Sequence, residues 1–159
     1  EILSLNNNDL SSLPEDSFAG ISNLKKLYMR YNDLSSLPED VFDGLSALQE
    51  LSLSDNDLSS LPEDIFAGLS ALQELYLNDN ELSSLPEDIF AGLSALQTLR
   101  LNDNSLICLP RSLPLSLPVD VELPRCGNLL ALTPSSLTVA EGGSGSYTVA
   151  LASQPTAAV

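Results

Sequence analysis

The chain has 159 residues, 43% of them apolar, with no tryptophan and no histidine, and a formal charge of −16 from 22 acidic and 6 basic residues. So acidic a surface repels phosphate backbones and excludes nucleic acid as a partner, and no apolar run approaches the roughly 18 residues that a membrane helix needs. Without histidine, a Gly-rich phosphate loop or a cysteine before Cys108, the usual catalytic and metal constellations lack residues to build them, so neither cofactor nor metal is expected.

From its first residues the chain is periodic. Leu48 to Ala71 and Leu72 to Ala95 are copies of one 24-residue unit that differ at three positions, Ser52/Tyr76, Ser54/Asn78 and Asp57/Glu81. The same unit runs from Leu24 to Ala47, enters without its first position at Ile2 to Asn23, and starts a fifth time at Leu96 before dissolving after Pro110. Units that cannot bury their apolar edge alone must stack, so residues in one column become neighbours in space. Every phenylalanine lies in one column, Phe18, Phe42, Phe66 and Phe90, which predicts a continuous buried stack.

Within each unit two periods alternate. In LQELSLSDN, Leu51 and Leu53 alternate with Ser52 and Ser54, the pattern of a short strand with one buried face. Strands are expected near residues 2 to 5, 26 to 29, 50 to 53, 74 to 77 and 98 to 101, with Ser52 and Ser54 pointing outward. LPEDIFAGLSAL reads as a short helical or 3₁₀ return, with Pro62 in its first turn, Glu63 and Asp64 at its positive end and Gly68 as its stop. A column of amides, Asn8, Asn32, Asn56, Asn80 and Asn104, falls where the chain leaves each strand, suited to satisfying backbone groups that no ladder reaches.

The unit LxxLxLxxNxLxxLPxxxFxxLxx resembles the typical 24-residue leucine-rich repeat of extracellular receptors such as Toll-like and variable lymphocyte receptors, and the low-diversity SSLPEDIFAGLSALQ is similar to bacterial surface versions. The resemblance implies an α/β solenoid, a horseshoe with a concave parallel sheet and short convex returns. It covers residues 1–109. Residues 110–127 then form a C-terminal flank; Cys108, just ahead of it, and Cys126 within it are placed much as in the cysteine flanks of such proteins, though with two cysteines instead of four. A bridge between them closes a loop of about 18 residues, worth on the order of 3 kcal/mol in the chain-entropy model, and implies an oxidising compartment. LPRSLPLSLPVDVELPR, too rich in proline for a helix, is expected to run extended over the end of the solenoid. Residues 128–159 alternate β-branched and polar side chains around Gly142 to Gly145. They read as two strands and a turn, and resemble the opening of a Calx-beta-like or immunoglobulin-like domain too short to pack well by itself. Glu1 enters in mid-repeat, so the chain reads as a segment of a longer protein with its first strand an edge.

Where the copies differ is informative. Leu24 to Ala47 departs from Leu48 to Ala71 at eight positions, and five of these, Lys25, Lys26, Tyr28, Arg30 and Tyr31, fall on the strand side. On the back, SSLPED is invariant across four units. The expected ligand-binding face is therefore Lys25, Lys26, Tyr28, Arg30, Tyr31, Tyr76, Asn78 and Arg100, rich in the aromatic and arginine anchors that dominate interfaces. The implied function is a non-catalytic, secreted or cell-surface recognition module, monomeric or paired through its edge, that takes a protein or glycan ligand. Two rivals stand beside it: a spacer in a larger adhesin, and a Ca²⁺-dependent module built on Asp55, Asp79 and Asp103.

Overall fold

The structure is a computed structural model that describes residues 1–127 and the two strands Ser136–Glu141 and Gly145–Ala150. It divides into two compact units, Glu1–Arg125 and Cys126–Val159.

The first unit is a solenoid. Strands β1 (Ile2–Ser4), β2 (Lys26–Tyr28), β3 (Glu50–Ser52), β4 (Glu74–Tyr76) and β5 (Thr98–Arg100) form one parallel sheet in sequence order. The register steps by one repeat, pairing Leu3 with Leu27, Leu27 with Leu51, Leu51 with Leu75 and Leu75 with Leu99. Those central leucines point into the core, and Leu27, Leu51 and Leu75 are fully buried. Behind the sheet the phenylalanines stack face to face, with centroids 6.1, 6.4 and 6.4 Å apart and planes within 13° of parallel. Repetition thus converts a weak edge in one unit into a continuous core shared with its neighbours.

The returns differ from the helical expectation: among the described residues they are turns, and no helix forms. In the third unit Ile65 N donates to Pro62 O, Ala67 N to Asp64 O and Leu69 N to Phe66 O, each an i→i+3 bond set off from the last by two residues. A 3₁₀ helix needs such bonds on consecutive residues. Here a proline without N–H, followed by a Gly68 at φ +79°, leaves separate turns linked end to end.

The asparagine column stitches the units together. The Asn56 amide donates to the carbonyls of Leu53 (3.0 Å) and Ser54 (3.1 Å) in its own unit and of Met29 (2.9 Å) in the preceding one, while its Oδ1 accepts from Leu34 N at 3.2 Å. Asn32, Asn80 and Asn104 repeat the arrangement. Asn8 is exposed and bonds only within its own unit, to Leu5 O and Asn6 O. The residue before each ladder asparagine is left-handed, Asn7, Tyr31, Asp55, Asp79 and Asp103, all with φ between 54° and 57°.

The C-terminal flank is not the extended run that its prolines imply. It folds into turns, with Leu113 N donating to Pro110 O and Leu117 N to Pro114 O, so that each proline supplies the carbonyl that opens a turn. Leu109 and Leu113 enter the core, and Val119 pairs with Leu99 at the edge of β5. There the Asp120 carboxylate accepts from Leu101 N at 2.8 Å, satisfying an edge donor that no further strand reaches. Cys108 and Cys126, the sequence's two cysteines, are both disulfide-bonded.

The second unit contains an antiparallel pair, β6 (Ser136–Glu141) and β7 (Gly145–Ala150), in the stretch where the alternation predicts two strands. The expectation of poor packing beyond residue 128 lies outside the described residues.

Candidate functional site

The sheet presents two columns of outward side chains. In one, Tyr28, Ser52, Tyr76 and Arg100 stand side by side on β2 to β5. In the other, one step beyond the strands, stand Arg30, Ser54, Asn78 and Asn102. Both columns read large, small, large. The small residues of the third unit become the floor of a pit of about 400 Å³ walled by Arg30 on one side and Tyr76, Asn78, Arg100 and Asn102 on the other, with Glu50 at its margin.

Ser52 and Ser54 therefore face the sheet side as expected yet are buried, at 3% and 1% exposure, because the neighbouring side chains rise above them. Ser54 Oγ donates to Asn78 Oδ1 at 2.8 Å. Glu50, Ser52, Ser54 and Asn102 belong to the pit but are not among the candidates that the sequence singles out. Reading down a column, and not only between copies, reveals them: a serine flanked by tyrosines in register is a gap.

The eight candidates fall into three groups. Arg30, Tyr76, Asn78 and Arg100 line the pit. Lys26, Tyr28 and Tyr31 support its rim. Lys26 Nζ meets Glu50 at 2.6 Å, and this contact raises the Lys26 pKa. Burial, and then the bond to Glu50, raise that of Tyr28. Tyr31 is half exposed with Arg30 over its ring, 5.1 Å from the centroid. Lys25 is exposed ahead of β2 and takes no part in the pit.

Most acids on this face are already engaged. Tyr76 Oη donates to Glu74 Oε2, and that bond, with partial burial, pushes the Tyr76 pKa up to about 12. Asn78 donates to Asp79 and Asn102 to Asp103, while Asp55 lies 3.4 Å from Arg30. The aspartate column thus serves its own neighbours, and among the described residues no three His, Cys, Asp or Glu side chains are grouped to hold a metal ion. Nor, among the described residues, is any helix long and apolar enough to cross a membrane.

Comparison with known proteins agrees with this geometry. The family model described as leucine rich repeat matches residues 1–58 and 48–106. No curated protein is matched by the chain. Among solved structures, the leucine-rich repeat domain of APL1B is similar at 34% sequence identity and a TM-score of 0.71, over 78% of this chain. This chain spans only 38% of the length of that one. Leucine-rich repeat domains are typically protein-binding modules without catalytic activity. With its matched repeats, its register of one unit per strand and its asparagine ladder, the chain belongs to the leucine-rich repeat family.

Proposed function

We propose that the chain is a non-catalytic recognition module, secreted or displayed at a cell surface, that binds a protein or glycan ligand through its sheet face, with residues 1–109 forming the recognition solenoid and 110–127 its cap. One observation carries this. Nearly identical copies differ mainly on the sheet side, where the pit lies, while exposed back positions such as Ser35, Ser36, Glu39 and Asp40 do not change from unit to unit. Duplication alone scatters differences over both exposed faces; a working surface gathers them on one. The disulfide agrees with an oxidising, extracellular setting. The stretch 128–159 is read as the opening of a Calx-beta-like or immunoglobulin-like surface domain that follows the cap.

The test is a screen of purified extracellular domains and arrayed glycans with the protein as probe, followed by matched variants. Tyr28→Ala with Arg30→Ala should weaken any specific hit at least tenfold at unchanged melting temperature, since aromatic and arginine anchors carry most interface energy. Glu63→Ala with Asp64→Ala, on the back, should change it less than twofold. Loss with the back pair and not the face pair would move the site to the convex side. A protein that binds nothing in either array fits the spacer reading instead.

A further inference from the structure

We propose that the pit on the sheet face receives one carboxylate-bearing side chain of a partner protein, an Asp or Glu inserted between Arg30 and Arg100 onto the serine floor. The proposal rests on the sheet face being the working surface, and names the chemistry of what enters it.

Three observations converge. The pit inverts the charge of its surroundings. On a chain of net charge −16, its charged lining consists of two guanidiniums and a single carboxylate, Glu50, which is already bound to Lys26 at 2.6 Å. Both guanidiniums, moreover, are loosely held. Arg30 lies 3.4 Å from Asp55 and Arg100 3.7 Å from Asp120, well beyond the roughly 2.7–2.9 Å of a charge-assisted hydrogen bond. Arg30 Nε is buried without any hydrogen-bond partner. Such a donor is costly to leave unmade, and the planar fork to which it belongs matches a carboxylate. Tyr31, lying against the guanidinium, fixes its plane while leaving that donor unused.

The third observation is the floor. Ser52 and Ser54 are nearly inaccessible, yet the neighbouring strands carry Tyr28, Arg30, Tyr76 and Asn78 at the same register. The pit exists because one unit has lost volume that its neighbours keep. Its volume of about 400 Å³ accommodates a single protruding side chain, and Ser52 lies among its lining residues. A flat glycan chain lying across the sheet would leave this depth unfilled.

The probe is a displayed library of random dodecapeptides, panned on the whole chain and read against three variants. Ser52→Tyr fills the pit with the residue that β2 and β4 already carry in register, so the fold tolerates it by its own precedent. Arg30→Lys keeps the charge and removes the fork, and Arg100→Gln removes the opposite charge. Selected peptides should share an Asp or Glu, lose at least tenfold in affinity when that residue becomes Gln or Asn, lose as much with Ser52→Tyr, and lose at least fivefold with either arginine variant. Peptides that lack a shared acid yet still fail on Ser52→Tyr would overturn the carboxylate while leaving the sheet face as the binding surface. Peptides indifferent to all three variants would overturn the sheet-face reading as well. Tight binding of glucuronic or sialic acid glycans that Ser52→Tyr abolishes, with no acidic peptide selected, would replace the protein partner with an acidic glycan.

Discussion

Single residues in this chain have different weights at the same column position. Asn56 and Asn8 share one column two units apart, yet Asn56 serves buried backbone groups in its own and the preceding unit and Asn8 only its own exposed turn. Asn56→Ala leaves the buried Leu34 N–H without a partner and takes one of two donors from the Met29, Leu53 and Ser54 carbonyls, at a cost of about 2 kcal/mol, whereas Asn8→Ala should cost less than about 0.5 kcal/mol. Urea unfolding of the two variants checks this. Tyr76 gives a pH signature. Its folded pKa of about 12 lies above its ordinary value near 10, so the folded state holds the proton more tightly. The resulting stabilisation is complete below about pH 10 and is lost as the pH rises towards 12. In an ultraviolet titration Tyr76 should ionise near pH 12, and Glu74→Gln should bring it back towards the ordinary value. The asparagine column was legible in the sequence because a fixed polar residue in an apolar frame needs a backbone to serve. The serine floor was not, because a small side chain reveals itself only through the height of its register partners.

At the scale of the element, strands were easier to read than returns. Leucine alternation marks each strand to within a residue or so, since a register of one unit per strand leaves no freedom for a slip: shifting by one would turn Leu51 out and Ser52 in. Pro62, Glu63 and Asp64 have the chemistry of a helix start and predict helical returns, but the i→i+3 bonds fall on alternate residues and Gly68 at φ +79° ends the run. That glycine is needed for its backbone alone. At φ +79° a Cβ would meet nothing within 4 Å, so Gly68→Ala should destabilise by about 1 kcal/mol through conformation only, and Gly68→Asn by less, because Asn visits the left-handed region more readily. Equal losses for the two would point to a packing role that the geometry does not contain.

At the scale of the molecule, near-identical units stacked in register let one unit serve as the control for another. The second unit differs from the third on the sheet side at Lys25, Lys26, Tyr28, Arg30 and Tyr31, where the third has Gln49, Glu50, Ser52, Ser54 and Asp55. Tyr31 is the one bulky side chain among the left-handed positions, where its counterparts are Asn or Asp. Holding an aromatic residue there costs about 1 kcal/mol and is retained at the edge of the candidate site, the pattern of strain kept for function. The most direct measurement is therefore an exchange of faces. Lys25→Gln, Lys26→Glu, Tyr28→Ser, Arg30→Ser and Tyr31→Asp together give the second unit the face of the third, on a backbone that the chain already uses for it. Ligand affinity and thermal unfolding are then measured on the same preparation. Affinity should fall at least a hundredfold while the melting temperature holds or rises slightly as the Tyr31 strain is released. Unchanged affinity in a folded protein would contradict the assignment of the sheet face as the surface with which this chain recognises its partner.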